Sequence, residues 1–193
     1  MVWGDPGKPV AIAAIIVISL SALAGCSVAG SGERSLADTK SPVQLLRNEA
    51  ASRIPPAAID AVGETEDVSK PCESEADDPD GLRRAWHSST QVVVESASAW
   101  RVDAIVDGIG TSFADQGWTV TPVDDGDLTH GLTLTREETA SELRVSAHRP
   151  EPGTAAPAAD SAEPVTIDVA SHGPCVDTAG ADSDEVTELE AQK

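Results

Sequence analysis

Histidine, carboxylate, glycine and serine side chains are the residues here whose types and spacing could make a site, and each pattern is weighed by what its chemistry requires. A zinc centre needs several imidazole, thiolate or carboxylate ligands on one point, often as His-x-x-x-His on a helix. His87, His130, His148 and His172 stand far apart with no such pair, so convergence would have to come from the tertiary fold, and they are read as ordinary surface histidines. Asp77, Asp78, Asp80 and Gly81 resemble part of a calcium loop but lack its alternation and its distal Glu, which leaves a solvated acidic turn. Gly108-Ile109-Gly110 lacks the later glycine of a nucleotide fingerprint and falls inside a predicted helix. Neither Gly-x-Ser-x-Gly nor Ser-x-x-Lys occurs, so serine-hydrolase and penicillin-binding chemistry have no support. The expectation is no catalytic residue, no cofactor and no metal site. Trp86, Trp100 and Trp118 could line a groove, but each lies beside the end of a predicted element, where core packing uses such a ring.

Cysteine gives more. A largely apolar run from Val10 to Ala24, preceded by Lys8, is about 15 residues long, too short for the roughly 20 of a spanning helix and suited to a secretory signal peptide. It ends in Leu23-Ala24-Gly25-Cys26, which looks like the lipobox of bacterial lipoproteins: an apolar residue, two small ones, then cysteine. That motif implies diacylglyceryl transfer to the Cys26 thiol, cleavage after Gly25 and Cys26 as the new N-terminus. Two acyl chains of the palmitate type anchor a protein where one is marginal, at about 0.8 kcal/mol per buried methylene. The expected location is the extracytoplasmic face of the cell membrane, tethered and not spanning. Cys72 and Cys175 then remain as an even pair in an exported chain, and a disulfide is the simplest reading. A redox pair or metal ligation is the alternative, without Cys-x-x-Cys spacing or a neighbouring His and Cys cluster to favour it.

The elements that must position these residues follow from periodicity. Residues 1–25 are the signal peptide and 26–40 a flexible tether of small and polar residues. Ser41-Pro42-Val43-Gln44 reads as a helix start, with Val43, Leu46, Ala50 and Ile54 on one face and Pro55-Pro56 as the stop. Gly63 to Gly81 is acidic and turn-rich and is taken as a loop. A strand is predicted over 90–95, then a helix capped by Ser98 with Val102, Ile105, Val106, Ile109 and Phe113 on one face and Gly117 as its stop. Strands over 118–123, 132–136, 143–148 and 165–170 show period-two alternation. The segment 150–164, rich in Pro and Ala, is expected to be a disordered loop, and 177–193 an acidic disordered tail. The domain therefore spans 41–176, in the α+β class: one main helix on a mostly antiparallel sheet of about five strands, plus a short N-terminal helix. Strand order does not follow from periodicity. The helix after the first strand could make an adjacent parallel crossover or return to a distant edge.

The chain has 193 residues and a formal net charge of -20, with 33 acidic against 13 basic residues. That excludes ordinary nucleic-acid binding, which needs a basic face to displace counterions. Five acids between Glu73 and Asp80, three between Asp124 and Asp127 and six between Asp177 and Glu190 fall in predicted loops or tail and read as solubility. Cys72, Arg84-Ala85-Trp86, Gln116-Gly117-Trp118 and Gly173-Pro174-Cys175-Val176 together resemble the small actinobacterial cell-envelope lipoproteins of the LppA-like kind, whose soluble domain is of unknown function. The resemblance implies an envelope compartment and a disulfide, and it brings no catalytic residues. The functional expectation is a membrane-anchored lipoprotein with a non-catalytic domain that binds an envelope protein or wall component. An enzyme accessory subunit or a carrier of an apolar ligand is the alternative.

Overall fold

A computed structural model of the chain describes residues 34–124, 126, 129–149 and 164–192. The signal peptide, Cys26, most of the expected tether and residues 150–163 of the expected loop lie outside them. Period-two alternation builds the strands where it is strongest. In β2 (Arg83–Val94) Trp86, Ser88, Thr90, Val92 and Val94 are buried on one side. In β4 (Thr129–Arg136), β5 (Ser141–His148) and β6 (Thr166–His172) the same inward role falls to Leu132 and Leu134, to Leu143, Val145 and Ala147, and to Ile167, Val169 and Ser171.

The sheet is larger than the expected five strands. It has seven, in the order β1 (Ile59–Pro71), β2, β6, β5, β4, β3 (Thr119–Asp124), with β7 (Val176–Asp177) also paired to β2. The main addition is β1 (Ile59–Pro71), in which Gly63 to Pro71 belong to the stretch expected to be a loop. It is an edge strand with little apolar alternation to report it: Glu64, Glu66 and Asp67 charge it, and register shifts interrupt it beside Gly63. Charge and irregularity at an edge discourage pairing with other chains. β3 (Thr119–Asp124) forms the opposite edge.

Helix α1 (Leu36–Ala51) begins earlier than the expected Ser41 and takes in the last part of the expected tether. Its cap is Ser35, whose hydroxyl accepts from the Asp38 backbone while the Asp38 carboxylate accepts from the Ser35 backbone, a capping box that also satisfies the motif logic. Pro42 therefore lies in the helix interior, where it removes the donor that would meet the Asp38 carbonyl. Burial of Leu36, Thr39, Val43, Leu46 and Ala50 on one stripe offsets that loss. At 16 residues α1 is longer than α2 (Val102–Ala114), with 13, which corrects the picture of one main helix and a short one. Before α2, Ser96–Arg101 form a 3-10 segment held by the Glu95 carboxylate on the Ala97 backbone, so Ser98 is a buried residue of that segment and not the cap.

All strand pairs are antiparallel, so β3 runs parallel to β2 but is separated from it by β6, β5 and β4. Of the two routes left open by the sequence, α2 takes the one to the distant edge. α1 and α2 lie on the same sheet face: α1 packs on β2 and β6, α2 on β4, β5 and β3, and their apolar stripes join one core with Val92, Leu134, Val145 and Val169. Gly110 lets α2 sit this close, since a methyl there would meet Leu132 Cδ1 at 2.5 Å.

The segment after 177 is not a disordered tail. Ser183 caps α3 (Asp184–Ala191), whose Val186 is buried in a second cluster with Leu36, Val43, Trp86 and Val176. Lys40 Nζ donates to the Leu189 and Gln192 carbonyls, and Glu190 accepts from the Ser69 backbone and hydroxyl. With Val186 and Leu189 as its apolar contacts in that cluster, the helix depends on this docking, not on a periodic face of its own.

Candidate functional site: a histidine pair on the outer sheet face

Because side chains alternate along a strand, the face of the sheet away from α1 and α2 takes the odd residues of β2 and the even residues of β6 and β5. The register sets His87 opposite His172, Gln91 opposite Asp168, and Glu142 opposite His172 on the other side of β6. His87 Nδ1 lies 3.1 Å from His172 Nε2 and 3.3 Å from His172 Nδ1, with ring centroids 4.3 Å apart. From β1, Glu66 Oε2 stands 3.5 Å from His87 Nε2 and 3.4 Å from Lys70 Nζ. His87 is only 5% exposed and His172 is half-buried.

The electrostatics follow from this crowding. Burial, then the neighbouring His172 and Lys70, push the His87 imidazole down to about 4, against the opposing pull of Glu66 and Asp67. Burial also holds His172 below the usual histidine range, with Lys70 adding to the shift and Glu142 opposing it. At neutral pH both rings are uncharged, so each offers a lone pair as well as an N–H. Such a pair can accept a proton, share a hydrogen bond or ligate a cation.

The fold thus brings together two of the four histidines read as ordinary surface residues. The other two stay apart: His130 Nε2 pairs with Asp107 Oδ1 at 2.8 Å, and His148 lies beside Thr129. Among the described residues no group of three or more His, Cys, Asp or Glu side chains has the arrangement of a metal centre. Trp86 and Trp118 are buried as expected, but Trp100 is 80% exposed on the 3-10 segment beside Arg101. The acidic turn is a backbone cap: Asp78 accepts from the Leu82 and Arg83 amides, which lowers its carboxyl below the usual range, while Asp77 accepts from Ser74. It lines an open bowl of about 910 Å³ with Glu73, Glu75, Asp80, Asp182 and Asp184.

Cys72 and Cys175 are bonded, with Cα atoms 6.1 Å apart across a separation of 103 residues. The bond joins the end of β1 to the start of β7 where both flank the first residues of β2. Sequence reasoning missed the histidine pair because β2 and β6 run beyond the strands predicted over 90–95 and 165–170, which leave out both rings, and because what brings them together is the β2 to β6 register. Strand parity alone puts His87 opposite Trp86 and Ser88 in facing, but which strand lies beside it is a tertiary fact.

In comparisons with known proteins, no family model matches the chain and no curated protein matches it in sequence. Among solved structures it is similar to LppA from Mycobacterium tuberculosis, at 9% identity and a TM-score of 0.31, over 82% of this chain and 80% of that one. A likeness of that size carries no functional argument.

Proposed function

We propose that the chain is an envelope lipoprotein: cleaved after Gly25, acylated on Cys26, held by two acyl chains on the extracytoplasmic face of the cell membrane, and displaying a non-catalytic domain that binds an envelope protein or wall component. The observation that carries the reading is the Cys72 to Cys175 disulfide. Such bonds persist where the compartment is oxidising, which is where the leader and Leu23-Ala24-Gly25-Cys26 would send the chain. Among the described residues no helix is long and apolar enough to cross a membrane, and the reading assigns attachment to the lipid. The 910 Å³ bowl, with six carboxylates and Arg84 among its lining residues, is a poor fit to the apolar ligand of the carrier alternative.

The test is the intact mass of the protein extracted from membranes of its native host, with and without reduction. A chain beginning at Cys26, carrying acyl mass and gaining about two hydrogens on reduction, is the expected result. An unacylated chain, or two free thiols before reduction, overturns it.

A further inference from the structure

We propose that His87 and His172 form a two-pronged clip for one divalent first-row transition-metal ion, with Cu²⁺ held most tightly. Two nitrogens bound to one ion at ~2.0–2.1 Å, at angles between square-planar and tetrahedral, lie roughly 2.9–3.4 Å apart. His87 Nδ1 stands 3.1 and 3.3 Å from the two nitrogens of His172, so the spacing suits ligation through either one. The rings are carried by directly paired positions of two interior strands, so the sheet ladder sets their separation and not a loop.

Glu66 completes the logic from the far side of the ring. Its Oε2 stands 3.5 Å from His87 Nε2, on the side of the ring away from Nδ1 and His172, where a small closure would let it accept the Nε2 proton when Nδ1 takes the metal. Burial keeps both imidazoles neutral, the form that binds metal. The charged groups acting on the pair are Glu66, Asp67 and Lys70 from β1 and Glu142 from β5, with Glu66 shared by Lys70 and Asp67 facing Arg47. With no third protein ligand converging among the described residues, water fills the other positions. Imidazole ligation and the Irving–Williams order place Cu²⁺ above Zn²⁺ and Ni²⁺. The clip does not depend on the lipid-anchor reading.

The experiment uses the untagged chain from residue 26 with Cys26→Ser, so that no free thiol competes for the ion, disulfide intact and stripped of metal. Zn²⁺ is titrated with the histidine ring nitrogens followed by NMR, and Cu²⁺ by calorimetry. One equivalent is expected to move the ring signals of His87 and His172 and leave those of His130 and His148 in place. His172→Asn is expected to weaken Cu²⁺ binding at least about tenfold and Glu66→Gln about tenfold, while His130→Asn changes nothing. No uptake, uptake that moves other rings or none, or equal affinity in a folded His172→Asn variant each overturns the proposal. If that variant does not fold, the wild-type ring signals decide alone.

Discussion

Two neutral histidines side by side in a sheet make stability depend on pH in a definite direction. In metal-free protein the folded His87 titrates near 4, while the unfolded chain has the ordinary value near 6.5. Between those values the unfolded state binds more protons, so stability is complete above pH 6.5 and falls as pH drops toward 4. The shift, discounted because Glu66 and solvent screen the partly open pair, corresponds to a loss on the order of 2 kcal/mol. Urea midpoints across that window should show it, and His87→Gln should flatten the curve; an unchanged slope in the variant would place the titration elsewhere. A second residue-scale feature lies between α1 and the first two strands. Arg47 Nε, Asp67 Oδ1, Trp86 Nε1, Ser88 Oγ and Thr90 Oγ1 are buried without a hydrogen-bond partner among the described residues. Removing one such hydroxyl without changing shape relieves its desolvation, so Thr90→Val should raise stability by about 1 kcal/mol in chemical denaturation. A loss would mean that the hydroxyl is satisfied in solution.

At the scale of elements, what the sequence made legible and what it hid divide along burial. Val43, Leu46 and Ala50 share one face of α1 and are buried, as are Val102, Ile105, Val106, Ile109 and Phe113 of α2, because a stripe packed on a sheet must repeat its period, while Ile54 is buried in the turn beyond the end of α1. β1 and α3 were invisible for the opposite reason: an edge strand exposed along most of its length and a helix docked through few apolar contacts leave no periodic signal. The start of α1 was misplaced because Ser41-Pro42 resembles a cap, while Ser35 and Asp38 make one in the structure. The disulfide partners were legible from counting cysteines, whereas the histidine pair needed both the full length of β2 and β6 and the strand order. The two glycines of α2 show why propensity alone is not enough. A methyl at Gly108 meets nothing within 4 Å, so Gly108→Ala should stabilise by about 1 kcal/mol. At Gly110 the same gain is opposed by contact with Leu132 in a packed core, so Gly110→Ala should be no more stable than the native chain. Thermal melts that rise equally for both would sink the close-packing account of α2 on β4.

At the scale of the whole molecule, repulsion and the cross-link act against each other. Asp5 and Lys8 are the only charged residues before Cys26, so a chain cleaved there keeps the full -20. Compaction presses those charges together, which disfavours the folded state. The Cys72 to Cys175 bond acts from the other side, closing a loop of about 100 residues in the unfolded chain and contributing roughly 4.7 kcal/mol on the chain-entropy model. Domains of this size have only about 5–15 kcal/mol in all. Cys72→Ser with Cys175→Ser should therefore lower the urea midpoint steeply and leave a protein at the margin of folding. Salt should then reveal the charge term. Raising ionic strength from about 0.01 to 0.1 M shortens the screening length from roughly 30 to 10 Å, which relieves repulsion most where the folded and unfolded states differ most in compactness. The cross-linked chain stays partly compact when unfolded and retains more of its self-repulsion, so its midpoint should rise less with salt than that of the doubly substituted chain. If salt moves both midpoints by the same amount, the cross-link does not change the repulsion kept by the unfolded chain, and if it moves neither, the acidic surface is neutral toward folding.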